Sequence, residues 1–142
     1  MRWAVTGGAP ALRPAATRAT DAAVRYGVDP AQRDAVELAI HELLVNALTH
    51  GHGGDPSLPI GLRVARPDGR AVTVAVTDRA VHGPWEGPPR RPPAAGVTSS
   101  SGRGWQLIRA VATAAHTCRV AGGGTLVLIE LPTVHAVSGA RR

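Results

Sequence analysis

The chain has 142 residues, enough for one compact domain, and its 44% hydrophobic content includes no phenylalanine, which predicts an aliphatic core. Its formal net charge of +6 comes from arginine alone, because the sequence contains no lysine. A Walker A phosphate loop, a eukaryotic-type protein kinase and Schiff-base chemistry each require a lysine, so these three classes are excluded.

The first part of the chain predicts a strand followed by two helices. Residues 2–5 form a weak strand candidate, and an alanine-rich helix is expected over about 11–26. The second helix is expected over 30–50, with Asp29 as its N-cap and Gly51 as its stop signal.

The remainder predicts two hairpins separated by a helix. Alternating apolar residues around a turn indicate a hairpin with strands near 60–64 and 72–76. Residues 83–104 are rich in Pro and Gly, a composition expected either of a disordered connection or of a functional lid. Helical spacing then extends over 105–115, and a last hairpin is expected over 117–131.

These elements predict an α/β fold. We expect a two-layer sandwich in which a mixed, mostly antiparallel sheet is covered on one face by two or three helices. A single domain is expected over residues 1–132, with a flexible tail at 133–142.

The sequence also bears on location and on partners. Cys118 is the only cysteine, so no intramolecular disulfide can form, and no stretch approaches the roughly 18 apolar residues of a membrane span. The first residues lack the apolar core of a signal peptide. We therefore expect a cytoplasmic protein without membrane contact. The arginines are dispersed, which favours a basic soluble surface over a nucleic-acid stripe.

Three polar side chains recur at four-residue spacing on the second predicted helix. Glu42, Asn46 and His50 form one slanting stripe, because residues four apart differ by only about 40° in direction. The neighbouring stripe is apolar and the opposite side is charged or polar: Val36, Ile40, Leu43, Leu44 and Ala47 against Asp34, Glu37 and His41. Glu42 and Asn46 are explained as readily by two exposed polar residues that happen to lie four positions apart as by a cleft beside the core.

A metal site on this helix has little support. A zincin would need histidine at position 45, which is Val45. His50 and His52 follow near the loop without a third ligand, and we expect them to face solvent.

Asp78 ends an alternating apolar row. It shares parity with Val72, Val74 and Val76, so its carboxylate is expected on the buried face of the sheet. An unpaired carboxylate there is costly. Asp78 therefore either caps the following loop or lies at a cleft mouth, where it accepts from the amino group of a ligand.

A serine- and glycine-rich stretch, residues 99–104, immediately precedes the third predicted helix. Glycine lets backbone approach a phosphate closely, and a helix N-terminus attracts anions. A flexible linker would have much the same composition.

In this order, these stretches resemble the GHKL ATPase superfamily, and more narrowly the small bacterial anti-sigma-factor serine/threonine kinases. The matching boxes are ELLVNALTHG (42–51), VAVTDRAVHGP (74–84), SGRGWQLI (101–108) and GGTLVLIELP (123–132). The match covers about residues 10–132. It implies a Bergerat, or histidine-kinase-like ATPase, fold with ATP and Mg²⁺ bound between the helices and the sheet.

The resemblance also implies roles for individual residues. Asn46 would coordinate Mg²⁺, and Glu42 would be the general base. Asp78 would accept from the adenine amino group, with Thr125 assisting. The remaining nucleotide contacts would be Gly102 and Gly104 near the phosphates, together with His50, Gly83, Arg103 and Trp105, while the Pro/Gly-rich segment would close as a lid.

The implied function is a regulatory kinase that phosphorylates a serine or threonine of an antagonist protein and sequesters a sigma factor, with a homodimer as a further expectation. The family's second box often reads Asp-x-Gly-x-Gly, whereas this chain has Ala80 and His82 at the glycine positions. The alternative is a catalytically weak or inactive protein-binding module on the same fold. A nucleic-acid-binding domain is a third, less favoured class.

Overall fold

The computed structural model describes residues 1–79, 100–121 and 123–134. Its elements in chain order are β1 (Arg2–Val5), α1 (Ala9–Arg25), a 3₁₀ turn (Pro30–Gln32), α2 (Arg33–Asn46), a π-helical turn (Ala47–Gly51), β2 (Ile60–Ala65), β3 (Val72–Thr77), α3 (Ser100–Val111), β4 (Ala114–Arg119) and β5 (Thr125–Leu131). None of the helices in these ranges is both long and apolar enough to cross a membrane.

The five strands form one sheet in the order β1-β2-β3-β5-β4. Each described pair of neighbouring strands is antiparallel, so the predicted mixed sheet is wrong in that detail. The predicted two-layer α/β sandwich is confirmed. Both predicted hairpins are present, and β5 lies beside β3, so the end of β3 meets the start of β5.

The core between the layers is aliphatic, as the absence of phenylalanine predicts. Alternate residues of the central strands are buried against the helices: Val72, Val74 and Val76 of β3, and Val127, Ile129 and Leu131 of β5. The predicted apolar stripe is buried as a whole: Val36, Ile40, Leu43 and Leu44 on α2 and Ala47 at the start of the π-helical turn. This burial fixes the rotation of α2 and so brings Glu42 and Asn46 to the flank of the core.

Local hydrogen bonds and a glycine at positive φ mark where the helical segments begin and end. Gly27 has a φ of 116°, and the N–H groups of Gly27 and Val28 donate to Val24 and Ala23, which is the Schellman arrangement. The Asp29 carboxylate accepts from the Ala31 N–H at 2.9 Å, so the predicted cap is present, but it caps the 3₁₀ turn that precedes α2 and not α2 itself.

Three predicted boundaries are wrong. The second helix is α-helical only from Arg33 to Asn46, because a 3₁₀ turn precedes it and a π-helical turn follows it. The third helix begins at Ser100, four residues before Gly104. It ends at Val111 because the Thr113 N–H already donates to Glu130 of β5, so Ala115 lies in β4 and not on the helix.

Chain contacts continue past the predicted domain end at Pro132. The Thr133 hydroxyl is buried and donates to the Arg70 carbonyl oxygen at 2.8 Å, and the Val134 N–H donates to the Gly27 carbonyl oxygen. The predicted lid lies mostly outside the described residues, as does the tail beyond Val134, and both stay predictions.

Two leucines of α2 provide a matched test of this packing. Leu44 is fully buried between the layers, whereas Leu38 on the same helix is 46% exposed. We expect Leu44→Ala to lower the free energy of unfolding by about 2–5 kcal/mol, because it removes buried methyl groups and leaves a cavity. Leu38→Ala should change it by no more than about 0.5 kcal/mol. Urea unfolding measures both, and equal losses would contradict the packing described here.

Candidate functional site

Asp78 lies at the junction between β3 and β5. Asp78 is only 3% exposed, and its backbone N–H donates to the Thr125 carbonyl oxygen at 3.0 Å. The Thr125 N–H donates in turn to Asp78 Oδ1 at 3.2 Å. The predicted burial of Asp78 on the helix-facing side of the sheet is therefore confirmed, and Thr125 lies next to it.

Two glycines make room for Asp78. A Cβ atom on Gly51 would lie 2.6 Å from Asp78 Cβ and Oδ2, closer than non-bonded atoms approach. A Cβ on Gly124 would overlap the Asp78 carbonyl oxygen, and Gly124 has a φ of 117°, which favours glycine. Gly51, at the end of the π-helical turn, and Gly124, directly before β5, thus contact Asp78 from two sides.

His52 is also part of this corner. It is fully buried, and its Nε2 accepts from the backbone N–H of Arg79 at 3.0 Å. Burial lowers the pKa of His52, and the nearby Asp78 carboxylate opposes that shift. The expectation that His52 faces solvent is wrong, because the π-helical turn directs its side chain inward. His50 is exposed, as expected.

Glu42 lies where α2 meets α3. A Cβ atom on Gly104 would lie 2.6 Å from Glu42 Oε2 and 3.3 Å from its Cδ. The half-buried carboxylate therefore lies directly against the α3 backbone at Gly104. A side chain at position 104 would make the flexible end of Glu42 shift.

Asn46 lies one helical turn beyond Glu42 on α2. The residue is 4% exposed, and within the described ranges its side-chain Nδ2 has no hydrogen-bond partner. A buried amide group left unsatisfied costs about 1–3 kcal/mol. Such an atom is expected where a missing ligand completes the hydrogen bonding.

The other predicted contacts lie around α3. Trp105 is buried in the core cluster with Ile108, and Gly102 and Arg103 lie in the first turns of α3. Gly83 lies outside the described residues. The cofactor roles of Trp105, Arg103 and Gly83 stay predictions.

Glu42, Asn46 and the contact of Gly51 with Asp78 follow one another along α2 and the π-helical turn. Glu42 contacts α3, Asn46 follows, and Gly51 contacts Asp78 at the sheet. Gly51 follows Glu42 by nine positions, which corresponds to roughly 13 Å at the α-helical rise of about 1.5 Å per residue. The arrangement places a half-buried carboxylate, a buried amide and a buried carboxylate along an extended line.

Comparison with known proteins bears on this arrangement. The family model described as a histidine kinase-like ATPase domain matches residues 8–130. No curated protein matches the chain.

The residues present fit the ATP that such a domain implies. The unsatisfied Asn46 Nδ2 is a donor that suits a phosphate oxygen, and an amide side-chain oxygen is a ligand that Mg²⁺ accepts. At the other end of this line, Gly104 brings the α3 backbone against the Glu42 carboxylate without an intervening side chain.

Gly51 provides a direct test of the Asp78 corner. Gly51→Ala places a methyl group against the Asp78 carboxylate, so we expect the free energy of unfolding to fall by about 1–3 kcal/mol. Gly61→Ala is the matched control, because its Cβ would meet Thr77 Cβ at an acceptable 3.4 Å. Denaturant unfolding of both variants measures the difference. Equal stability would show that Gly51 does not press on Asp78.

Proposed function

The chain belongs to the histidine kinase-like ATPase family, and on that premise we propose that it is an ATP-dependent protein kinase of the anti-sigma-factor type. It transfers the γ-phosphate of ATP to a serine or threonine of an antagonist protein, and it sequesters a sigma factor. The observation that carries the kinase assignment is the Glu42 carboxylate held against Gly104 of α3.

Glu42 would act as the general base. Its carboxylate is half-buried and lies against the α3 backbone, the segment assigned to the phosphates. In the transfer, the hydroxyl oxygen of the substrate side chain forms a bond to the γ-phosphorus, and the bond to the β–γ bridging oxygen breaks. ADP leaves, and the hydroxyl proton passes to Glu42.

Asn46 would hold the Mg²⁺ ion through its side-chain oxygen. The ion neutralises charge on the phosphates when it is bound. Asn46 is buried, and its Nδ2, unsatisfied within the described part of the chain, would donate to a phosphate oxygen. With no lysine in the sequence, the chain's own contribution to phosphate binding comes from backbone N–H groups and arginine.

Asp78 would recognise the purine. Its Oδ1 already accepts from the Thr125 N–H, and its Oδ2 is directed toward Gly51. A carboxylate oxygen can accept more than one hydrogen bond, so a carboxylate held in a fixed orientation by the backbone suits the exocyclic amino group of adenine.

The sigma factor and the antagonist protein are supported by the sequence resemblance alone. A second candidate function is a nucleotide-independent binding module on the same fold. The residues that favour it are Ala80 and His82, which replace two glycines of the family's second box.

Glutamine at position 42 tests the base role. Glu42→Gln keeps the shape of the side chain but cannot take up the hydroxyl proton, so phosphoryl transfer should fall by about 10²–10⁴-fold while ATP binding persists. Transfer from γ-labelled ATP to an antagonist protein is the measurement. Glu37→Gln is the matched control, because Glu37 is also half-buried but lines the groove between α1 and α2 on the other side of the helix. Similar transfer by both variants would remove Glu42 from the base role.

Asn46→Ala tests the metal role. We expect Mg²⁺-ATP affinity to fall at least about tenfold, the equivalent of one lost polar interaction of about 1.4 kcal/mol. Affinity without Mg²⁺ should change little. Calorimetric titration with and without the metal measures both, and Thr49→Ala, an exposed polar residue in the next turn, is the control. An equal loss in both titrations would contradict a metal-specific role.

A further inference from the structure

His52 connects the two segments that surround Asp78. Its backbone belongs to the end of the π-helical turn: the His52 N–H donates to the Ala47 carbonyl oxygen at 3.0 Å, and the His52 carbonyl accepts from the Asp55 N–H at 3.1 Å. Its ring reaches across to the Arg79 N–H, the residue directly after Asp78. The imidazole therefore joins the end of the second helical segment to the end of β3.

This hydrogen bond requires a neutral ring. Nε2 accepts from the Arg79 N–H, so the proton of the neutral imidazole resides on Nδ1. Nδ1 is buried, and no described residue accepts from it. A second proton on Nε2 would place two donors face to face, and the hydrogen bond to Arg79 would be lost.

The charged groups around the ring come from two segments. Asp78, directly after β3, and Asp55, in the loop between the π-helical turn and β2, favour the protonated form, whereas Arg79, the residue after Asp78, opposes it. Burial is the largest influence and also opposes protonation, so the pKa of His52 lies below its usual 6.5. The ring is therefore neutral at physiological pH.

Gly51, the residue before His52, presses on the Asp78 carboxylate. If the π-helical turn moves, the position of the Asp78 carboxylate changes too, because the Gly51 backbone contacts it directly. The Asp78 carboxylate is thus held from one side by Thr125 and from the other by a turn whose position depends on the His52 ring.

We propose that His52 is a positioning residue for purine recognition: its neutral imidazole holds the Asp78 corner closed, and its protonation opens the corner and weakens nucleotide binding. This inference rests on the proposed function of Asp78. His52 itself touches no substrate in this scheme, since its contact is with the backbone of Arg79.

The direction of the pH effect follows from the lowered pKa. A buried neutral histidine supports binding fully at pH values above its pKa, and that support is lost as the pH falls through it. The loss therefore occurs below pH 6.5, not at neutral pH.

The test measures Mg²⁺-ATP and adenosine affinity by calorimetry between about pH 5 and pH 8. For the native chain we expect affinity to weaken about tenfold at the acid end, the cost of one lost hydrogen bond near a charge. His52→Gln should show a flat profile, because its side-chain oxygen can still accept from the Arg79 N–H but does not titrate. Adenosine has no phosphate, so its profile separates the protein's titration from that of the nucleotide.

Two further variants complete the experiment. His52→Ala should bind more weakly than His52→Gln at neutral pH, because alanine provides no acceptor. His116→Gln removes an exposed histidine on β4 and should retain the native profile. The Arg79 amide resonance, followed by NMR, should shift with the His52 titration.

The outcomes separate the inference from the function on which it rests. If the native chain binds no nucleotide at neutral pH, the proposed function fails and the inference fails with it. If the native chain binds but shares the flat profile of His52→Gln, only the inference is overturned. An Arg79 amide that ignores the His52 titration would also overturn it.

Discussion

The buried Asp78 carboxylate is the constraint on which this corner of the molecule depends. A charge at 3% exposure must be paired or hydrogen-bonded, and the structure meets that need with the Thr125 N–H across the junction of β3 and β5. The same carboxylate leaves no room for a side chain at Gly51. One acidic residue thus ties together the end of the second helical segment and two central strands.

The other functional groups follow from the packing of α2. Its apolar stripe is buried on the sheet, so the helix cannot rotate, and the residues beside that stripe must lie at the edge of the core. Glu42 meets the α3 backbone at Gly104, and Asn46 brings an unsatisfied amide to the same flank. A buried amide with an unsatisfied N–H lowers the stability of the fold, and proteins retain such destabilising groups at binding sites.

Much of this arrangement could be predicted from the sequence because it depends on regular periods. The helical period placed Glu42 and Asn46 beside the apolar stripe, and the strand period placed Asp78 on the buried face. His52 was missed because it lies beyond the last regular turn, where no period indicates which side is buried. The early start of α3 was missed because serine and glycine favour turns, and packing against α2 at Gly104 overrides that preference.

The most direct measurement is a crystal structure of the chain with Mg²⁺ and a non-hydrolysable ATP analogue. The account predicts the adenine amino group within hydrogen-bonding distance of the Asp78 carboxylate, and the metal ion bound by the Asn46 side-chain oxygen. An analogue bound away from both residues would contradict it.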